Sequence, residues 1–392
     1  MSNAASADVP SSNRVEQAGF LALLGVAGAI QFSIAVGQIL LAIAIACWLA
    51  TIITRRESVA VPRFIWPLAA YAALTLLSAV FSPQPRTSLV DSKQLVLLLV
   101  VPVAYRFLTG ARAQTLASVV VSFGAVSAAY GIVQYAILHY DHLGQRPQGT
   151  LGHYMTYSGL LMLVIGTALS RILFGKRERL WAGLVMPALL VAVVLSFGRS
   201  AVFGACAAAA LLLSLKDFRL LAIVPVFAAI FFMTATPALT ARFMSFSLKD
   251  PTTRDRVAMV REGEHMIRAH PMLGVGPNMV EPLYAEYRDA DAVNEVNPHL
   301  HNVPLQIAAE RGLPALAAWL WFVVVVLVDL ARSFKSGHHR VLTCVALAAV
   351  TSMLAAGLFE YNFGDSEFLI LFLALITLPF AAARTPDTEL TG

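Results

Sequence analysis

From Ala18 to Ile53 the chain is apolar almost without interruption. At 1.5 Å of rise per residue, that run is too long for one helix crossing a hydrocarbon core of about 30 Å. It reads as two membrane-spanning helices divided by a tight turn near Gln31. No cleavable leader is visible, because a signal h-region covers only about 7–15 residues. The same character persists along all 392 residues: 58% are apolar, 13% are charged, and the mean hydropathy is +0.73. Ordinary soluble domains carry about 25% charged residues. A disordered chain, a disulfide scaffold and a typical soluble enzyme are excluded on this ground. The three cysteines, Cys47, Cys206 and Cys344, all sit inside apolar runs and read as small buried side chains.

Further apolar runs predict spans at 64–81, 94–109, 113–138, 155–174, 180–196, 200–215, 219–236, 313–333, 339–359 and 366–383, which makes twelve. The expected fold is therefore an all-α polytopic membrane protein. Residues 1–17 read as a disordered tail opening on an expression scar, Met1-Ser2-Asn3-Ala4. Residues 18–236 hold the first nine spans, and 237–312 form one large, mostly helical loop. Residues 313–383 hold the last three spans, and 384–392 are a short tail. With both termini placed in the cytoplasm, sixteen Lys and Arg fall on inner segments and four on short outer loops: Arg86, Lys93, Arg146 and Arg199. That bias obeys the positive-inside rule and sends the large loop outward. Nucleic acid is not expected among the partners.

Once the inner cations are set aside, few polar residues remain to carry chemistry. Arg199 stands in Ser196-Phe197-Gly198-Arg199-Ser200, between two apolar runs with almost no loop. At that depth an arginine snorkels to the interface or binds an anion. In the large loop, Thr252 or Thr253 can cap a helix running from Arg254 to His270, with Asp255 in its first turn and Pro271 and Gly274 ending it. Val257, Val260 and Ile267 mark its apolar stripe, with Met259 and Met266 beside them. Arg256 lies next to that stripe, either as a solvated residue or as a cation offered to a phosphate through its planar fork. Gly274-Val275-Gly276 reads as a turn or a weak phosphate cradle. His299 and His301 are two apart and share no helix face; the spacing could suit a metal, but no third ligand is evident. Either can act as a base near neutral pH, with Asn302 orienting it. Asp289 and Asp291 read as a solvated acidic loop, or less readily as a metal-binding pair. His153, after Gly149 and Gly152, opens a span at its outer end, where a helix N-terminus favours an anion.

In this order and topology, these features resemble the O-antigen ligase family, within the wider group of lipid-linked oligosaccharide ligases and polymerases. The family pattern of an arginine, fourteen residues to a His-Pro, then Gly-Val-Gly is met by Arg256, His270-Pro271 and Gly274-Val275-Gly276. Its His-Asn pair and later Glu-x-Gly are met by His301-Asn302 and Glu310-Arg311-Gly312, and its Ser-x-x-Arg element by Ser196 to Arg199. Met259 stands where the family commonly carries an aromatic residue.

The resemblance implies a fold like that of the large, mostly helical GT-C-type membrane glycosyltransferases. It implies transfer of a glycan from undecaprenyl pyrophosphate to lipid A-core on the periplasmic face of the bacterial inner membrane, without metal, cofactor or ATP. His301, Arg256 and Arg199 take the catalytic positions. His299, Asn302, Gly274, Gly276, His153 and Arg254 are candidate substrate-binding residues. The alternatives are an O-antigen polymerase or a protein O-oligosaccharyltransferase using the same donor, and, in another class, a lipid or glycan transporter. Transporters place charge near the bilayer midplane; here the candidates gather towards one face.

Overall fold

The computed structural model describes residues 9–176, 178–244 and 251–384, and among them it is helical without a strand. The helices are α1 (Val9–Ala29), α2 (Ile34–Arg55), α3 (Ile65–Val80), α4 (Pro85–Ser92) and α5 (Val100–Phe107), the last two joined by a 3₁₀ stretch, Lys93–Leu99. Then come α6 (Ala111–Ala136), α7 (Tyr154–Phe174), α8 (Arg179–Leu195), α9 (Arg199–Lys216) and α10 (Ile223–Thr234). The large loop contains α11 (Pro237–Met244), α12 (Pro251–Ala269) and α13 (Val280–Tyr287). The chain closes with α14 (Val303–Ser336), α15 (Arg340–Gly357) and α16 (Ser366–Ala382).

A helix stands at each of the twelve expected spans. Seven are long and apolar enough to cross a membrane: α2, the continuous run Pro85–Phe107, α6, α7, α9, α14 and α15. Helices α3, α8 and α16 are apolar but shorter. α7, α15 and α16 form the centre of the bundle, and nearly every side chain of α16 is buried. One boundary moves. Helix α1 begins at Val9, so residues 9–17, expected as a disordered tail, are helical. Glu16 explains this, because it pairs with Arg55, Arg106 and Arg112 at 3.2, 3.7 and 2.9 Å and ties the start of α1 to three other helices. The expected scar at 1–4 and most of the tail 384–392 lie outside the described residues.

That ion cluster also sorts the two ends of the bundle. Arg106 further holds Glu57 at 2.8 Å, and Arg384 donates to the Tyr105 carbonyl at 3.1 Å. Arg171 pairs with Glu178, and Lys216 and Arg340 lie over the ring of Phe174. These seven cations, all assigned to the inner segments, thus lie at helix ends away from those that carry the loop.

Helix α12 packs differently from its expected stripe. Val257 and Val260 are exposed, and the buried face runs through Asp255, Ala258, Met259, Glu262 and Met266. The two methionines pack with Val275, Met279, Leu300 and Ala309, which seats the helix on the start of α14. Asp255 accepts from the N–H groups of Val293 and Asn294 at 3.1 and 3.0 Å, so it fastens the segment leading to the histidines. Glu262 is buried beside it. Burial first, then the charges of Asp255 and Asp289, push its carboxyl up to about 8.

The join between loop and bundle falls at Gly312, where the backbone leaves helical geometry (φ 84°, ψ 167°) and kinks α14. The strap Pro271–Gly276 clamps this kink. Leu313 N–H donates to the Pro271 carbonyl at 2.8 Å, and the N–H groups of Val275 and Gly276 donate to Ala309 and Glu310 carbonyls at 2.9 and 2.8 Å. A Cβ on Gly312 would sit 2.3 Å from the Met272 oxygen. That conformation is one only glycine adopts readily, and another residue costs about 1–3 kcal/mol there before the clash is counted.

Gly312→Ala is expected to lower the thermal unfolding midpoint of the purified chain clearly, as scanning calorimetry in detergent would register. Glu262 has a folded-state value raised above the usual 4.5. Folding therefore favours its proton, and stability is lost as pH rises from about 4.5 to about 8. Glu262→Gln should match wild type in thermal stability near pH 4.5, gain on it through neutral pH and hold a constant lead above about 8.

Candidate functional site

Four arginines from different parts of the chain reach one cavity. Its volume is about 270 Å³, and its lining includes Arg146, Arg199, Arg242 and Arg256, together with His301 and Glu360. Arg199 opens α9 two residues after Phe197, which turns the chain through a positive φ of 55°. Arg256 comes from the first turns of α12, with one guanidinium nitrogen donating to the Phe359 carbonyl. Arg146 lies over the ring of Tyr154, 4.1 Å from its centroid. Such a set can bind an anion of multiple charge through planar, paired donors.

His301 sits at the cavity wall in a left-handed conformation (φ 49°), unusual for a residue with a side chain. Its Nδ1 lies 2.9 Å from Glu360 Oε1; a carboxylate only accepts, so Nδ1–H is the donor, and in the neutral ring Nε2 is the acceptor nitrogen. Glu360 Oε1 also accepts from the Tyr361 N–H at 3.1 Å, and Oε2 is buried with no hydrogen-bond partner among the described residues. Burial alone would raise the Glu360 carboxyl. The hydrogen bond from His301 and the charges of His301, His299 and Arg256 outweigh it and hold the carboxyl below its usual range. His299 Nε2 lies 3.8 Å from the same oxygen. Burial, helped by His301 and His153 and opposed by Glu360, pushes His299 down to about 4, so it is neutral at pH 7.

A second cavity, of about 260 Å³, adjoins the first through Met155 and Glu360, which stand in the walls of both. It is lined by His153, His299, Gln306, Glu310, Arg311 and Asp91 among others. Glu310 and Arg311 are buried and paired at 2.7 Å. A wider groove of about 750 Å³ continues from it past Asp91 and Gln94 to Arg86 and Lys93. All four cations that the sequence leaves on short outer loops thus line a cavity or its groove.

The structure brings together His301, Arg256 and Arg199, and it places His299 and His153 in the adjoining cavity. Other candidates lie outside the three linings. Asn302 caps α14, accepting from Leu305 N–H at 2.9 Å, and its amide donates to the Leu358 carbonyl at 3.0 Å, so it fixes the backbone beside His301 and Glu360. Gly274 and Gly276 shape the strap, and their N–H groups are spent on protein carbonyls. They touch the site only through the Glu310 backbone they brace. Arg254 is exposed on α12. Asp289 and Asp291 share Arg261 between them at 3.5 and 2.9 Å.

Sequence reasoning missed Glu360, Arg146 and Arg242. Glu360 had a signal: an acid closing an apolar run at an outer helix end. Only folding shows that it faces histidines 59 residues earlier.

Residues 184–320 match the family model described as O-antigen ligase. Over that stretch the chain is similar to the O-antigen ligase family. No curated protein matches the chain. The family domain contains Arg199, Arg242, Arg256, His299, His301 and the Glu310–Arg311 pair. Arg146, His153, Asp91 and Glu360 complete the cavities from outside it. The family's description implies glycosyl transfer in O-antigen assembly, which matches a multi-pass helical chain acting on membrane-bound glycans.

Proposed function

We propose that the chain is an O-antigen ligase, moving a glycan from undecaprenyl pyrophosphate to lipid A-core at the periplasmic face of the inner membrane. The observation that carries this reading is the cavity in which His301, paired with a buried carboxylate, shares walls with Arg146, Arg199, Arg242 and Arg256. The positive-inside count and the gathering of inner cations at the opposite end of the bundle support the orientation, with both termini cytoplasmic.

The chemistry follows from the parts. The donor's pyrophosphate sits among the arginines, which neutralise the charge that develops as its bond to the anomeric carbon breaks. The acceptor sugar's hydroxyl oxygen forms the new bond to that carbon and gives its proton to His301 Nε2. Glu360 holds Nδ1–H, fixing the tautomer and stabilising the imidazolium that forms. Undecaprenyl pyrophosphate leaves. One displacement inverts the anomeric centre, and arginine charge serves where other glycosyltransferases use a metal. The adjoining cavity and its groove offer the acceptor a separate approach, meeting the donor at Glu360.

A polymerase would use the same donor with a second lipid-linked glycan as acceptor, and a protein oligosaccharyltransferase would modify serine or threonine. In vitro transfer with purified lipid A-core separates the three, since only the ligase modifies it. In that assay Arg256→Ala and Arg199→Ala should each lose about 10²–10³ in rate, and His301→Ala at least as much. Normal turnover by a folded His301→Ala protein would sink the assignment.

A further inference from the structure

His299, His301 and Glu360 bring three potential ligand atoms within 4.8 Å of one another. We propose that this cluster binds a divalent transition metal such as Zn²⁺, and that the bound metal shuts off transfer. The second half rests on the role given above to His301; the first does not.

Zinc bonds of about 2.0–2.2 Å to nitrogen and oxygen set ligand-to-ligand edges of about 3.3–3.5 Å in a tetrahedron. The His301 Nδ1 to Glu360 Oε1 edge is 2.9 Å and the His299 Nε2 to Oε1 edge is 3.8 Å, so the two edges bracket that value. The third edge, between the two histidine nitrogens, lies within 4.8 Å, so closing the site asks for small side-chain rotations. Glu360 Oε2 is buried and has no hydrogen-bond partner among the described residues, so the carboxylate has capacity to spare. Two imidazoles and one carboxylate suit zinc, nickel or copper and not magnesium. Three protein ligands leave a fourth position open towards the cavities.

The inhibition follows from tautomers. In the apo form Nδ1 carries the proton, donated to Glu360, and Nε2 has the free lone pair that a base needs. A metal on Nδ1 displaces that proton, and the neutral ring then carries its one proton on Nε2. With Nε2 protonated and the metal on Nδ1, His301 has no lone pair left to accept a proton. Glu360 is drawn into coordination at the same time. Metal binding at Nδ1 and base function at Nε2 therefore exclude each other.

The test titrates Zn²⁺ into the purified full chain in detergent with a competing chromophoric chelator, and repeats it with His299→Ala and Glu360→Gln. The expected result is one zinc per wild-type chain and at least tenfold weaker binding in each folded variant. Co²⁺ should give the visible absorption of a tetrahedral site in wild type alone. Binding unchanged in both variants, or no stoichiometric binding by wild type, overturns the site. Transfer activity is read separately: zinc should abolish it, and a chelator should restore it to the level of untreated enzyme. Stoichiometric binding with undiminished transfer refutes the inhibition and points away from His301 as base. Absent binding alongside loss of transfer in His301→Ala refutes the metal site and leaves the ligase reading standing.

Discussion

The site depends on one buried carboxylate. Glu360 closes the turn after α15, and its Oε1 gathers His301, the Tyr361 backbone and, slightly further off, His299. A charge taken out of water at that depth is costly unless partners return what hydration supplied. Its partners come from the far side of a 59-residue separation, so the carboxylate binds the loop to the final hairpin of the bundle. The same contact fixes which nitrogen of His301 is free. Architecture and the proposed acid–base chemistry share a single oxygen.

A second constraint makes that contact possible. The strap Pro271–Gly276 clamps the kink at Gly312, so the first two turns of α14 tilt away from the spanning part of the helix. Glu310 and Arg311 are held in the wall of the inner cavity as a result. Asn302 caps the same helix and grips Leu358, two residues before Glu360. The glycines and the asparagine of the family motifs thus earn their places as positioners of backbone, while the arginines and histidines reach into the cavities.

The helix pattern was legible because apolar runs are long and the charges few; helices stand at each expected span, and seven of them are long and apolar enough to cross a membrane. The loop helix was legible too, though its buried face was not. Val257 and Val260 form the better apolar stripe by spacing, yet α12 lies on its methionines, because Met259 and Met266 meet the strap and α14 while two carboxylates tolerate burial beside them. Periodicity reports which faces are apolar, not which neighbour will cover them. His301, Arg256 and Arg199 could be picked from motif order. Glu360, Arg146 and Arg242 could not, since each joins the site only through contacts distant in sequence. The acidic pair Asp289 and Asp291, a weak metal candidate by spacing, is occupied with Arg261, whereas the histidines' missing third partner lay in the turn before α16.

In the reaction proposed above, the arginine cavity holds a leaving pyrophosphate on one side of the anomeric carbon, and His301 with Glu360 removes a proton on the other. That proposal calls for one displacement, with no covalent glycosyl-enzyme. The most direct measurement is the anomeric configuration of the newly formed glycosidic bond, determined by NMR on the product of purified enzyme and a donor of defined configuration. The account predicts inversion relative to the donor. A product with retained configuration would contradict it.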